Sequence, residues 1–278
     1  MRGLIFFIVL GAFFLGCGEK PKEASKEGVE DLLLSAENKV MSFSLAGYEN
    51  NGKKKWEVEG KSADIMPELV NLTDVVAKAY GEEINVTLVA DKGVFNRVSN
   101  DVHLESDVKL ISTDGTEMTT ETLDWKNSEG KIYTDKPVKV TREDVETLST
   151  GAEGSPNLKQ IEFKRDVKIT TAKPKTVITC EGPMEFDYGK NYAEFNNKVK
   201  VEDERGQIHC DKATAYYDPK SHQVTKIVAS GNVKIVRGGS WTLSDEAVYL
   251  AQEEKIILTG SPKITIYPED ADSAKTGF

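Results

Sequence analysis

The five-residue phrase Ser106-Asp-Val-Lys-Leu110 recurs with small changes along most of this chain. Its third and fifth residues are apolar with a lysine between them, which is the two-residue alternation of a strand with one buried face. The third residues of successive copies are about 30 residues apart, at positions 108, 138, 167, 199, 233 and 262, which predicts a structural repeat. The other copies are Lys136-Pro-Val-Lys-Val140, Arg165-Asp-Val-Lys-Ile169, Asn197-Lys-Val-Lys-Val201, Gly231-Asn-Val-Lys-Ile235 and the degenerate Gly260-Ser-Pro-Lys-Ile264.

Aromatic residues have a regular position within this repeat. Four of them precede the third position of their copy by the same interval, and a fifth precedes it by a longer one. We interpret them as inward residues near the end of a strand, which is followed by a polar turn and a return strand. They are Phe95, Trp125, Phe186 and Tyr249 and, at the longer interval, Tyr216.

The repeats predict an all-β body, because helical periodicity is hard to find between Met41 and Tyr267. About six strand–turn–strand repeats of ~30 residues stack to cover their apolar faces and leave open edges at the two ends. Two layers must face each other to bury the inward row, which predicts an elongated, folded-over β-jelly-roll or a related sandwich. The length allows one large unit or two consecutive jelly-roll units.

The segment from Met1 to Cys17 differs from the rest of the chain. An uncharged, apolar run follows Arg2 and ends at Gly16, directly before Cys17. As a helix the run spans roughly 21 Å, short of the ~30 Å hydrocarbon core, which favours a signal-peptide core. Gly16 and Cys17 are similar to a lipobox with Cys17 as the lipidated residue, and an uncleaved anchor or an ordinary cleaved signal remain alternatives. All three alternatives place the folded body outside the cytoplasm. With a lipidated Cys17 or an uncleaved anchor, a flexible tether over residues 18–40 joins the body to the membrane.

Charge and composition exclude several kinds of function. The chain has 36 Lys and Arg against 46 Asp and Glu, a net charge of −10, which argues against a nucleic-acid partner. Its three histidines are scattered, so neither a metal site nor a cofactor is predicted. The aspartates beside the predicted strands suit turns, and we assign no catalytic residue.

Cys180 and Cys210 occupy equivalent positions in successive repeats. They can form a disulfide if their strands are neighbours, because the Cα atoms must lie within ~7 Å, and they stay two buried thiols if the strands are further apart. Both alternatives remain open. Neither makes these residues catalytic, since burial raises the pKa of a thiol.

The inward row has two interpretations, a sealed core or a groove that opens along one seam. A groove would hold long apolar chains, since each buried CH₂ contributes about 0.8 kcal/mol. The predicted lining consists of Phe43, Trp56, Phe95, Val108, Trp125, Val138, Phe163, Val167, Phe186, Val199, Tyr216, Val233, Trp241 and Tyr249.

Two groups of short motifs follow one another along the chain. The first group includes Trp56-Glu-Val-Glu-Gly60, Ala90-Asp-Lys-Gly93, Leu123-Asp-Trp125 and Pro137-Val-Lys-Val140, and the second includes Phe186-Asp-Tyr188, Cys210-Asp-Lys212, Tyr216-Tyr-Asp218 and Ala247-Val-Tyr249. In order and spacing the first group resembles LptC, and the second resembles the LptA or OstA-like unit. Both are families of periplasmic lipopolysaccharide-transport proteins.

The resemblance implies a non-enzymatic, periplasmic role. It implies that the protein accepts lipopolysaccharide from an inner-membrane ABC transporter complex and passes it toward the outer membrane, with acyl chains in the hydrophobic groove. Other Lpt proteins would join it by pairing of edge strands. It also implies an LptC-like part over residues 41–172, an LptA-like part over 173–268 and a tail over 269–278, so that the junction between the two parts is covalent here.

Two other functions compete with transport. A periplasmic β-scaffold with a sealed core would bind proteins only at its open edges. A carbohydrate-active jelly-roll enzyme would need two inward carboxylates roughly 5–10 Å apart. The apparent lipobox stands where a single-pass anchor is usual in LptC, which leaves the membrane that holds the anchor open, with the inner membrane favoured.

Overall fold

A computed structural model describes residues 38–48, 51–81, 84–155, 160–172, 175–221 and 223–267. These residues form seventeen β-strands, and no helix that could span a membrane is found among them. The predicted anchor with Cys17, most of the tether and the C-terminal tail lie outside the described residues. The strands are β1 (Asn38–Tyr48), β2 (Lys54–Ile65), β3 (Leu69–Tyr80), β4 (Asn85–Asn96), β5 (Val102–Ser112), β6 (Glu117–Lys126), β7 (Lys131–Arg142), β8 (Val145–Gly154), β9 (Gln160–Ala172), β10 (Lys175–Cys180), β11 (Met184–Asp187), β12 (Tyr192–Asp203), β13 (Gly206–Tyr217), β14 (Val224–Arg237), β15 (Ser240–Leu250), β16 (Lys255–Thr259) and β17 (Lys263–Thr265).

All seventeen strands belong to one antiparallel sheet, which confirms the all-β prediction. Each strand from β1 to β9 pairs with the next strand in the chain. Strands β10 and β11 then share one place in the sheet, because both pair with β9 on one side and with β12 on the other. The order continues to β15, which pairs with both β16 and β17.

The repeated phrase marks a bend in the middle of a long strand. Asp107 and Asp166, the second residues of two copies, have φ angles of 52° and 53°, and Asn232 has a φ of 49°. Asp and Asn tolerate this left-handed conformation better than most residues. The pairing register shifts at the same points, as a β-bulge does. In these copies the phrase therefore bends the strand at its second residue and buries its third.

The bend divides the sheet into two facing halves. Arm A is the side that carries the turns at residues 97–101, 127–130 and 188–191, and arm B is the side with the turns at 113–116, 143–144 and 204–205. Ile132 in arm A and Val140 in arm B lie eight residues apart on β7, roughly 26 Å in a straight strand. Both nevertheless line the same small cavity, which shows that the arms fold onto each other.

A row of valines forms the crease between the arms. Each valine is opposed on the neighbouring strand by a smaller side chain or threonine, which leaves room for the arms to close. The pairs are Val75 with Ala90, Val108 with Thr120, Val138 with Ser149, Val167 with Cys180, Val199 with Cys210, and Val233 with Ser244. All six valines are 1–2% exposed. Asp74 and Val75 belong to a further copy of the phrase. The sequence pattern does not reveal this copy, because Val76 stands where the other copies have a lysine.

The core is continuous along the sheet. One cluster of buried apolar residues extends from Ala90 on β4 to Ala247 on β15. Strand β9 pairs with β10, and the core continues across this pair, although the sequence pattern predicts the change from one part to the next between the two strands.

Candidate functional site

The inner faces of the two arms differ in their side chains. Arm A presents large aromatic residues and several alanines, whereas arm B, from β4 to β14, presents mainly aliphatic residues. The aromatics of arm A are Phe95, Trp125, Phe163, Phe186, Phe195, Tyr217 and Tyr249, and the aliphatic residues of arm B include Leu88, Leu110, Met118, Val140, Ile169, Ile178, Val201, Ile208 and Ile235. Together they form one apolar inner surface along the sheet.

Most of the predicted lining residues lie on this inner surface. Val108, Val138, Val167, Val199 and Val233 lie at its bottom, in the crease, and Phe163 is 4% exposed. Phe95, Trp125, Phe186 and Tyr249 are half-buried on arm A. Because the crease valines are sealed and these aromatics are only half-buried, the aromatics are the more accessible part of the lining.

Phe43 and Trp56 lie on the edge hairpin of β1 and β2. The ring of Trp56 covers Gly47 and the ring of Phe43 covers Gly60, in the space that a Cβ would occupy at each glycine. The two glycines therefore allow the rings to lie flat on the hairpin. Both rings are half-buried at the N-terminal end of the inner surface.

The structure corrects the prediction for Tyr216 and Trp241, which face outward. Tyr216 pairs with Tyr192, next to the inward pair Ala215 and Ala193, and it is 37% exposed with Lys226 over its ring. Trp241 pairs with Val236 rather than with the inward Ile235. The bend adds a residue to the strand and so reverses which residues beyond it face inward. The spacing of residues in the sequence does not reveal this shift.

Tyr217 occupies the inward place that was predicted for Tyr216. Its ring lies 6.0 Å from the ring of Phe186 between the centroids, and burial raises the pKa of its hydroxyl to about 12. The Tyr216-Tyr217 doublet was visible in the sequence. Only the register of the bend decides which of the two faces inward.

The interior is nearly closed between β6 and β9. An apolar cavity of about 20 Å³ lies there between Met118 and Val140 of arm B and Leu123, Ile132 and Phe163 of arm A. A cavity of this volume holds about one water molecule. An acyl chain therefore needs the arms to move apart.

A larger hollow, of about 860 Å³, lies on the outer face of the bend. Polar and charged residues such as Ser106, Asp107, Glu121 and Lys139 form most of its lining, and Val108, Pro137, Val138 and Leu148 form the rest. Desolvating these groups against a hydrocarbon chain would be costly. The larger volume thus does not identify a site for acyl chains.

Cys180 and Cys210 are both buried free thiols. They belong to β10 and β13, which are separated by β12, so they lie two strands apart and the geometry does not support a disulfide. Burial raises the pKa of Cys180, and it raises the pKa of Cys210 to about 11. Both thiols lie in the crease, where a reagent reaches them only if the arms part.

Several aspartates among the described residues hold turns. Asp218 accepts hydrogen bonds from the backbone N–H groups of Lys220 and Ser221, and Asp187 accepts one from that of Lys190. Among the described residues no three His, Cys, Asp or Glu side chains are grouped as a metal site would require. His222, one of the three histidines, is not among these residues.

Two family models match the chain in succession. The first, described as lipopolysaccharide-assembly, LptC-related, matches residues 4–172. The chain belongs to the LptC-related family. The second model, described as an LptA/(LptD N-terminal domain) LPS transport protein, matches residues 183–277. A comparison with curated proteins finds no match.

These matches confirm the predicted fusion of an LptC-like part and an LptA-like part. Both families take part in lipopolysaccharide transport in the periplasm and consist of transport proteins rather than known enzymes. The matches end at residue 172 and resume at residue 183, so β10 lies between them in the LptC–LptA fusion.

Proposed function

We propose that this LptC–LptA fusion receives lipopolysaccharide from an inner-membrane ABC transporter complex and passes it toward the outer membrane along its inner surface. One observation carries the proposal: the apolar inner surface and its core continue from the LptC-like part into the LptA-like part without a break. A lipid on this surface can move along one sheet instead of crossing between two proteins.

The junction between the two parts is built by strand pairing. Strand β9 ends the LptC-like match and pairs with β10 and with β11, where the LptA-like match begins. Edge-to-edge pairing of this kind joins separate proteins by β-augmentation. Here the paired strands belong to one chain, so the two parts are covalently linked and their strand pairing is intramolecular.

The outer strands at the two ends of the sheet are the proposed contacts for other Lpt proteins. Both ends expose large apolar side chains, which is a common property of interaction sites. They are Val40, Met41, Leu45 and Tyr48 on β1, and Ile256, Ile257, Ile264, Ile266 and Tyr267 at or after β16 and β17. An N-terminal lipid at Cys17 or an uncleaved anchor would hold the first end near a membrane.

Site-specific photo-crosslinking tests the path of the lipid. A photoreactive residue at Trp125 or Phe95, half-buried on arm A, is expected to capture lipopolysaccharide when the protein is loaded by the transporter. The same residue at Lys109 or Lys200, on the outer face, is expected not to. Equal capture at the inner and outer positions would contradict the groove.

The rival scaffold function has one observation in its favour, the nearly closed interior between β6 and β9. A scaffold with a sealed core would bind proteins at its ends and would capture no lipid at Trp125. The same crosslinking experiment therefore distinguishes the two functions.

A further inference from the structure

A contact between two inward side chains lies where the two arms end, at the mouth of the groove. Arg142 lies at the end of β7 in arm B, and Tyr188 follows β11 in arm A. Nη1 of Arg142 donates a hydrogen bond of 2.7 Å to the hydroxyl oxygen of Tyr188. Its guanidinium carbon lies 5.6 Å from the centre of the tyrosine ring. The contact thus bridges the two arms at the side opposite the crease.

Neighbouring groups hold both partners of this bridge in place. Asp114 of arm B lies 3.5 Å from Nη1 of Arg142, and its carboxylate accepts hydrogen bonds from the hydroxyl of Ser112 and the backbone N–H of Thr116. On the other arm, the ring of Tyr188 packs edge-on against Phe186 with 4.3 Å between the centroids. The side chains of Arg142 and Asp114 are only 26% and 23% exposed, so water screens the bridge less than a surface ion pair.

The bridge between Arg142 and Tyr188 also lies at the junction of the fusion. Arg142 belongs to the segment that matches LptC, and Tyr188 belongs to the segment that matches LptA. A lipid that moves from the first part to the second must pass this point. With an interior cavity of about 20 Å³ beside it, an acyl chain cannot pass while the arms stay closed.

We propose that the Arg142–Tyr188 contact is a clasp that holds the mouth of the groove closed at the junction of the two parts, and that an acyl chain passes this point only when the contact parts. This inference rests on the proposed transport function for its purpose. The closing action itself is a property of the folded chain and is measurable without lipid.

Removing the Tyr188 hydroxyl tests the clasp. Tyr188→Phe keeps the ring on Phe186 and deletes the hydrogen bond to Arg142. The matched control is Tyr80→Phe, which deletes a 2.9 Å hydrogen bond to the carboxylate of Glu57 between two neighbouring strands of arm B. Both variants lose one hydrogen bond to a charged group, but only the first bond joins the two arms.

The readout is the rate at which iodoacetamide alkylates Cys180 and Cys210 in the full chain without lipid, followed by mass spectrometry of the cysteine peptides. Loss of a hydrogen bond to a charged partner increases the population of the state with parted arms by roughly tenfold. We expect Tyr188→Phe to raise the alkylation rate of Cys180 roughly tenfold over wild type. Tyr80→Phe is expected to leave the rate within about twofold, since it lowers global stability without opening the mouth.

Equal alkylation rates in the two variants would overturn the clasp. Capture of lipopolysaccharide at Trp125 is then measured in the same variants and is expected to be faster in Tyr188→Phe. If no variant captures lipid although alkylation is faster in Tyr188→Phe, the transport function fails and the clasp stands.

Discussion

Met118→Asp is expected to abolish the capture of lipopolysaccharide, while Thr119→Asp leaves it unchanged. Met118 is 8% exposed and lines the apolar cavity between the arms, whereas Thr119 is the next residue on β6 and faces outward. A carboxylate in the path of an acyl chain must lose its water, at a cost of several kcal/mol. The measurement is crosslinking of lipid at Trp125 in each variant.

The control position is suited to an acidic residue. Thr119 pairs with Lys109 on one side and Lys139 on the other, so an aspartate there meets two lysines.

Met118→Gln is a second inner variant that keeps the length of the side chain without a charge. It is expected to fold, as judged by circular dichroism, and to reduce lipid capture less than Met118→Asp. Undiminished capture in a folded Met118→Asp protein would show that the lipid does not use this surface.

Val167→Asp is expected to destabilise both family-matched parts together. Val167 is 2% exposed in the crease of β9 and pairs with Cys180 of β10, at the junction of the two parts. An unpaired carboxylate at such a site lowers the free energy of unfolding by more than about 4 kcal/mol. The neighbouring Lys168→Asp, on the outer face, is expected to change it by less than about 1 kcal/mol.

Tryptophan fluorescence during urea unfolding measures the effect on each part. The chain has three tryptophans, so Trp→Phe replacements leave either Trp125 in the LptC-like part or Trp241 in the LptA-like part as the only reporter. Because the core is continuous, Val167→Asp is expected to shift both transitions to lower urea. A shift at Trp125 with none at Trp241 would mean that the two parts unfold independently.

The repeat could be predicted because its signal is local. A valine and an apolar residue two positions later, with a lysine between them, give strand alternation wherever they occur, and the regular spacing indicates stacked units. The structure has these valines on the inner face in every copy from Val108 to Val233. The two family resemblances followed from the order of the same motifs.

The bend and its consequences were harder to predict. In the sequence, Asp107 and Asp166 resemble ordinary outward-facing polar residues of a strand. Only their positive φ angles show that the strand bends there. A shift of one residue moves a side chain to the opposite face of the sheet. Because of the bend, Tyr217 faces inward instead of Tyr216, and Trp241 faces outward. The copy at Val75 was missed since its lysine is absent.

The clasp could not be predicted from sequence spacing. Arg142 and Tyr188 are 46 residues apart, and β7, which contains Arg142, does not pair with β11, which precedes Tyr188. Their contact depends on how far the arms close, which follows from packing along the whole crease rather than from any local pattern. Polar residues at the inward positions of strand ends are the only signal that the sequence contains for it.

The most direct test of lipid transport is mass spectrometry of the lipids that co-purify with the full chain from membranes. The account predicts that lipopolysaccharide co-elutes with the wild-type protein at a level well above that found with Met118→Asp. Wild-type protein that is free of lipopolysaccharide, prepared from cells whose transporter is active, would contradict it.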